Sequence, residues 1–170
     1  MKRLILMRHG DAERQAGGQA DFERALTAEG RAESRAVGKA LAKAGFTPDL
    51  ALVSSAERTA QTWKAAAEAF DGGARVEKDR SLYAATAVQL AQAVREAAPD
   101  GDTLMLVGHN PGIHQYAIHL TMSGGTTGKP ARTLYEKFPT GSAAVFSLDL
   151  NGRPALERLF LAKDYRDKDT

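Results

Sequence analysis

Leu4-Ile5-Leu6-Met7-Arg8-His9-Gly10 sets the reading of this chain. A short apolar run cut off by an arginine, a histidine and a glycine has the length and bounds of a strand buried on both faces. Such strands belong to parallel sheets. Ligands of open parallel sheets collect at the carboxyl ends of the strands, so Arg8, His9 and Gly10 arrive together where a site is expected. Arginine grips phosphate oxygens with a planar fork, and glycine lets backbone amides approach an anion. Histidine serves at neutral pH as nucleophile or as acid–base. Taken alone, the triplet has a plain alternative, the polar end of an ordinary strand.

A second strand ends in the same way. The run 103–107 passes into Gly108-His109-Asn110-Pro111-Gly112, where Asn110 reads as an N-cap and Pro111 as the first helical residue. His109 then sits between a strand end and a helix N-terminus, a natural position for an anion. A third strand, 50–53, leads into Ser54-Ser55-Ala56-Glu57-Arg58-Thr59-Ala60-Gln61-Thr62. With Ser55 as N-cap, Arg58 falls in the first helical turn, where a cation opposes the helix dipole and a capping box would want Glu or Gln. A bound oxyanion would reconcile amides and guanidinium. The alternative is a solvated Arg58 paired with Glu57 or Glu68.

Outward from these junctions the chain alternates strand and helix. A strand over 3–7 is followed by a polar, glycine-containing loop over 11–26. Thr27 caps a helix reaching Ala44, with Val37, Leu41 and Ala44 at helical spacing and Gly45 as its stop. Helices are predicted over 56–70, 86–97 and 111–122, and a short strand over 74–77. Strands over 143–148 and 155–160 flank Asp149-Leu150-Asn151-Gly152, a hairpin signal. Residues 123–139, with several glycines, Pro130, Lys129, Arg132 and Lys137, read as a long structureless segment, either a flap beside the substrate or a loop without a role. The pattern predicts an α/β protein, a three-layer α/β/α sandwich over a mainly parallel central sheet. One domain is expected over 1–162, followed by a charged C-terminal tail, 163–170, that frays.

Composition suits an enzyme of one domain. The chain has 170 residues, 43% of them hydrophobic, and a formal net charge of +2 with acids and bases interspersed. That balance gives no footprint for nucleic acid or a membrane surface. The absence of cysteine excludes disulfides, thiol nucleophiles and thiolate metal sites. The apolar run after Met1-Lys2-Arg3 is too short for a signal peptide, and a cytoplasmic location is expected.

Arg8-His9-Gly10, Leu26-Thr27 with Gly30, Ser54-Ser55 with Arg58, Gln61 and Thr62, and Gly108-His109 come one after another in the order of the histidine phosphatase superfamily. The chain resembles these phosphoglycerate mutase-like and acid phosphatase enzymes from Met1 to about Gly141. Arg8-His9-Gly10-Asp11-Ala12, Leu82-Tyr83 and Phe138-Pro139-Thr140-Gly141, with the short length, are most similar to the SixA-type phosphohistidine phosphatases. The resemblance implies a phosphoglycerate mutase-like fold. It makes His9 the nucleophile, has Arg8, Arg58 and His109 surround the phosphoryl group, and gives Gly10, Asp11 and Asn110 to substrate binding. No cofactor is implied, since arginines supply the positive charge. A metal held by His9 and His109 is the competing idea, with no acid immediately paired to either.

One departure bears on the substrate. Mutase-type relatives carry a glutamate where this chain reads Leu82-Tyr83-Ala84-Ala85-Thr86, without a carboxylate. An alkoxide leaving group normally needs a positioned acid, whereas a phosphorylated imidazole can leave as neutral imidazole. Asp11 is either a substitute acid or a loop cap. Ser54 and Ser55 lack a nucleophile-elbow motif, and His114, His119, Glu13, Arg14 and Arg24 read as surface or core-edge residues. The leading expectation is a phosphatase acting on phosphohistidine in proteins. A phosphatase of small phosphomonoesters and a non-catalytic phosphoprotein-binding module remain as alternatives.

Overall fold

Alternation within each strand decides which layer its side chains feed. Leu4 and Leu6 of β1 (Arg3–Arg8) point into one apolar cluster, and Ile5 and Met7 into another. Leu50 and Leu52 against Ala51 and Val53 in β2 (Leu50–Ser54), and Leu104 and Leu106 against Met105 and Val107 in β4 (Thr103–Gly108), divide in the same way. A strand buried on both faces needs helices on both, which is what the apolar runs predict.

The computed structural model describes residues 1–166. The remaining elements are α1 (Ala28–Lys43), α2 (Glu57–Ala67), β3 (Arg75–Asp79), α3 (Ala87–Ala97), α4 (Gly112–Gly124), α5 (Lys129–Glu136), β5 (Ala143–Leu148) and β6 (Pro154–Phe160). The six-stranded sheet has the order β3-β2-β4-β1-β5-β6. Strands β3, β2, β4 and β1 run parallel, β5 pairs antiparallel with β1, and β6 antiparallel with β5. Helices α1 and α2 supply Val37, Leu41, Trp63 and Ala66 to one face, while α3, α4 and α5 supply Leu90, Val94, Ile113, Ala117 and Leu134 to the other. The predicted α/β/α sandwich with a mainly parallel sheet is the observed fold.

Register sets the site. Arg8 pairs with Gly108 across the β1–β4 ladder, and Val53 of β2 pairs with Val107. The carboxyl ends of β1, β2 and β4 therefore open along one sheet edge.

Several local expectations are corrected. Ser55 does not cap α2; the N-cap is Ala56, without a side-chain bond. Asn110 does not cap α4 either. Its amide donates to the Phe138 carbonyl, Pro111 stands outside the helix, and Gly112 begins it, where a Cβ would come 2.0 Å from the Ala85 carbonyl. Residues 123–139 are not structureless, since α5 buries Ala131 and Leu134 against the sheet. The tail does not fray from 163: Tyr165 packs on Phe160, and Arg166 pairs with Glu29 and with the buried Glu33. The rest of the predicted tail, 167–170, lies outside the described residues.

Close backbone approach holds α1 to α2. A Cβ on Gly38 would lie 2.3 Å from the Ala66 carbonyl oxygen. In an exposed helix interior, Gly→Ala gains about 1 kcal/mol. Here overpacking outweighs that gain, and Gly38→Ala is expected to lower stability by about 1–3 kcal/mol in urea denaturation. A stabilised variant would show that the two helices separate more easily than this geometry allows.

Candidate active site

β1 delivers Arg8 and then His9, and β4 delivers His109. The turn from β2 into α2 brings Ser54 and Arg58. The rings of His9 and His109 stand 5.3 Å apart, centroid to centroid, at 55°. His9 is 8% exposed, His109 7% and Arg58 5%, so the cluster is dry although it carries guanidinium charge.

The hydrogen bonds fix which nitrogen of each ring faces the cluster. His9 Nδ1 lies 2.7 Å from the Gly10 carbonyl, which can only accept. Nδ1 therefore carries the proton, and the lone pair is on Nε2. His109 Nε2 is 2.8 Å from Ser54 Oγ, which itself accepts from the Ala56 amide. With the Ser54 hydroxyl donating to Nε2, Nδ1 of His109 carries a hydrogen; with Nε2 donating to Ser54, Nδ1 is an acceptor. That Nδ1 is buried without a partner among the described residues, as are Arg8 Nε, Arg58 Nε and Asn110 Oδ1. Buried polar groups are rarely left so, and unpartnered arginine donors and a ring nitrogen beside His9 are groups that phosphate oxygens can satisfy.

Burial is the first cause of the unusual acidities. It pushes His9 down to about 4, with Arg58, Arg8 and Arg24 adding their repulsion against the backbone bond to Gly10. It pushes His109 down to about 3, reinforced by His9 and Arg58 and opposed by Asp21. Burial lowers Arg8 as well. Both imidazoles are neutral at pH 7, the form in which histidine is a nucleophile or a hydrogen-bond donor.

Arg8, His9, Arg58 and His109 are thus brought together. The other predicted residues behave differently. Gly10 offers a ligand no amide, because its N–H is taken by Thr62 Oγ1 at 2.9 Å; its role is the close packing that a Cβ, 2.6 Å from the Gly30 oxygen, would block. The Asp11 carboxylate accepts from the Thr27 hydroxyl at 2.9 Å. Asn110 and Arg8 both donate to the Phe138 carbonyl, each at 3.1 Å, which ties the segment after α5 to the site. His114 reaches the Leu134 carbonyl and stacks on Phe138, and His119 is exposed.

Sequence reasoning missed Asp21. Arg58 is neither solvated nor paired with Glu57 or Glu68. Its terminal nitrogens reach the Asp21 carbonyl at 2.8 Å and the Asp21 carboxylate at 3.0 Å. Glu57 takes Gln61 and Glu68 takes Arg35. Asp21 also accepts from the Tyr83 hydroxyl at 2.5 Å and from Arg24 Nε at 2.8 Å. Those contacts, the tyrosine first, hold its carboxyl down at about 2. The Tyr83 ring stands edge-on to His109. The only hint of this was the length of the 11–26 loop, more than a strand-to-helix connection needs. Among the described residues no group of three or more His, Cys, Asp or Glu side chains could hold a metal ion.

Comparison with known proteins identifies the family. The sequence profile of the histidine phosphatase superfamily (branch 1) matches residues 4–83. The fold superposes on a protein of Agrobacterium tumefaciens provisionally named phosphohistidine phosphatase SixA, with a TM-score of 0.83 and 28% identity over 94% of this chain and 97% of the other. A protein from Nakamurella multipartitia, provisionally given the same name, superposes with a TM-score of 0.81 and 26% identity over 94% and 95%. The chain belongs to the histidine phosphatase superfamily. An uncharacterized chloroplast protein of Arabidopsis thaliana is 33% identical over 129 residues, which span 71% of this chain and 59% of that relative. The profile match to the superfamily covers β1, β2, α2 and Tyr83, but ends before β4 and His109.

For this histidine phosphatase, neutral buried imidazoles have a consequence for stability. The unfolded chain takes up protons as pH falls below the ordinary histidine value of 6.5, while the folded chain does so only near 4 at His9 and near 3 at His109. The unfolded state then binds more protons, so stability drops with falling pH, by on the order of 3 kcal/mol per histidine at pH 4. Asp21 stabilises above its ordinary value of 3.8 and loses that only toward about 2, below this window. Urea midpoints are expected to fall from pH 7 to 4.5, and less steeply in His109→Gln. An equal slope in the two proteins would contradict the assignment.

Proposed function

We propose that this chain is a phosphohistidine phosphatase acting on phosphorylated proteins through a covalent intermediate on His9. The observation that carries the reading is a neutral, buried His9 with its lone pair on Nε2 beside the unpartnered side-chain nitrogens of Arg8, Arg58 and His109. Nε2 attacks phosphorus in line. The bond to the substrate nitrogen breaks, and its electron pair leaves with that nitrogen. Arg8, Arg58 and His109 hold the equatorial oxygens as their charge shifts. Water then attacks the phosphohistidine, the P–Nε2 bond breaks, and inorganic phosphate departs with His9 restored.

What the site lacks supports this choice of leaving group. Leu82–Thr86 holds no carboxylate, the Asp11 carboxylate is engaged by Thr27, and Asp21 stays ionised far below neutral pH. Neither of these two aspartates is thus an acid poised to protonate an alkoxide. A phosphorylated imidazole with its ring protonated needs none, which favours P–N over P–O substrates. The solved neighbours named for SixA support the same class. We take 1–162 as the catalytic domain and the cytoplasm as its setting. The proposed partner is a phosphorylated protein, not nucleic acid, and no cofactor is called for. No helix among the described residues is long and apolar enough to cross a membrane.

The test compares a phosphohistidine protein with a simple aryl phosphate, in the presence of a chelator. The expected result is selective P–N cleavage, lost by ~10³-fold or more in His9→Ala and by ~10²–10³-fold in Arg58→Ala. Preference for the aryl ester, or activity retained by His9→Ala, would overturn the proposal.

A further inference from the structure

Asp21 is, among the described residues, the one carboxylate hydrogen-bonded to a member of the phosphoryl-holding set. Its side chain is 41% exposed, whereas that of Arg58, to which it is bound, is 6% exposed. The acid therefore marks the boundary between the dry cradle and solvent. In-line displacement puts the leaving group opposite the buried nucleophile, toward that boundary. The carboxylate is held in place there. It lies in the 3-10 turn Asp21–Glu23, where Phe22 packs edge-on against Tyr83 with Arg80 over its other side. A carboxylate has about four acceptor positions. Arg58 and Tyr83 occupy Oδ2 and Arg24 takes one position on Oδ1, so a position on Oδ1 is left for a further donor.

We infer that Asp21 is a specificity-determining residue that selects leaving groups which are cationic nitrogen donors, the protonated imidazole of phosphohistidine in the first place. The inference rests on the P–N reading above and goes beyond it by naming the group that reads the leaving side. A fixed negative charge beside the phosphorylated ring favours the ring's protonated form and accepts its N–H. When the P–N bond breaks, the ring takes the electron pair, becomes neutral imidazole and keeps its proton. Asp21 stays ionised throughout and transfers nothing. An aryl phosphate offers no cation and no donor, so the same carboxylate gives it no help. Ionisation near pH 2 is what keeps this charge fixed at any physiological pH.

Asp21 also orients Arg58, so the test must separate charge reading from positioning. Both substrates need Arg58, and a purely positional loss would lower kcat/KM on both alike. The measurement is kcat/KM for a phosphohistidine protein and for an aryl phosphate in the wild type, Asp21→Asn and Asp21→Glu. Asp21→Asn keeps the shape and is expected to lose at least ~10-fold more activity on phosphohistidine than on the ester. Asp21→Glu, which restores the charge, is expected to recover most of that discrimination. Parallel losses on the two substrates would overturn the inference while leaving the P–N reading intact. Failure of the wild type to cleave phosphohistidine would overturn that reading instead, and this inference with it. Should Asp21→Asn not fold, Asp21→Ala gives the same comparison.

Discussion

Desolvation of charge at one sheet edge is the constraint on which the site depends. Two imidazoles are buried beside two arginines, and burial outweighs every other influence on their acidity. The protein cannot place four positive groups in a dry space, so it keeps the histidines neutral and leaves donors unpartnered instead. Both consequences are chemically useful. A neutral ring has a lone pair to give, and buried unpartnered donors bind an incoming oxyanion without reorganising. The same arrangement makes the site costly to the fold. Gly10 against Gly30, and Gly38 against Ala66, bring backbones to distances no side chain would permit.

Second-layer contacts turn proximity into direction. The Gly10 carbonyl sets the tautomer of His9, and the Ser54 hydroxyl fixes the orientation of the His109 ring. Thr62 accepts from Gly10 and donates to the Arg58 carbonyl, which links the nucleophile strand to the arginine helix. Phe138 joins Arg8 to Asn110 from the far side. Asp21 closes the ring through Arg58, Arg24 and Tyr83. Every residue that would hold phosphate is thus held in turn by a group from another element.

Much of this was legible in the sequence, for identifiable reasons. Continuous apolar runs have few solutions other than two-sided burial, so the parallel sheet and its layers could be read from Leu4–Met7, Leu50–Val53 and Thr103–Val107. Polar residues closing such runs must meet at one edge, and that placed His9, Arg58 and His109 together. Asp21 was illegible because the partners that tie it to the site, Arg58 and Tyr83, lie 37 and 62 residues away and its own loop has no periodicity. The start of α4 was misread because a tertiary bond claimed the capping side chain, Asn110 serving Phe138, and the start of α2 was misread by one residue, Ala56 rather than Ser55 being the N-cap. Helix α5 was hidden by the glycines and proline around it, although Ala131 and Leu134 carry a helical spacing.

The most direct test of the account is the ring state of His9 in the resting protein. Nitrogen-15 chemical shifts of its imidazole, tracked from pH 8 to 4, report both charge and tautomer. A neutral ring is expected down to about pH 5, with the hydrogen on Nδ1 and the lone pair on Nε2, titrating near 4. A ring that titrates near 6.5, or that carries its hydrogen on Nε2, would contradict it.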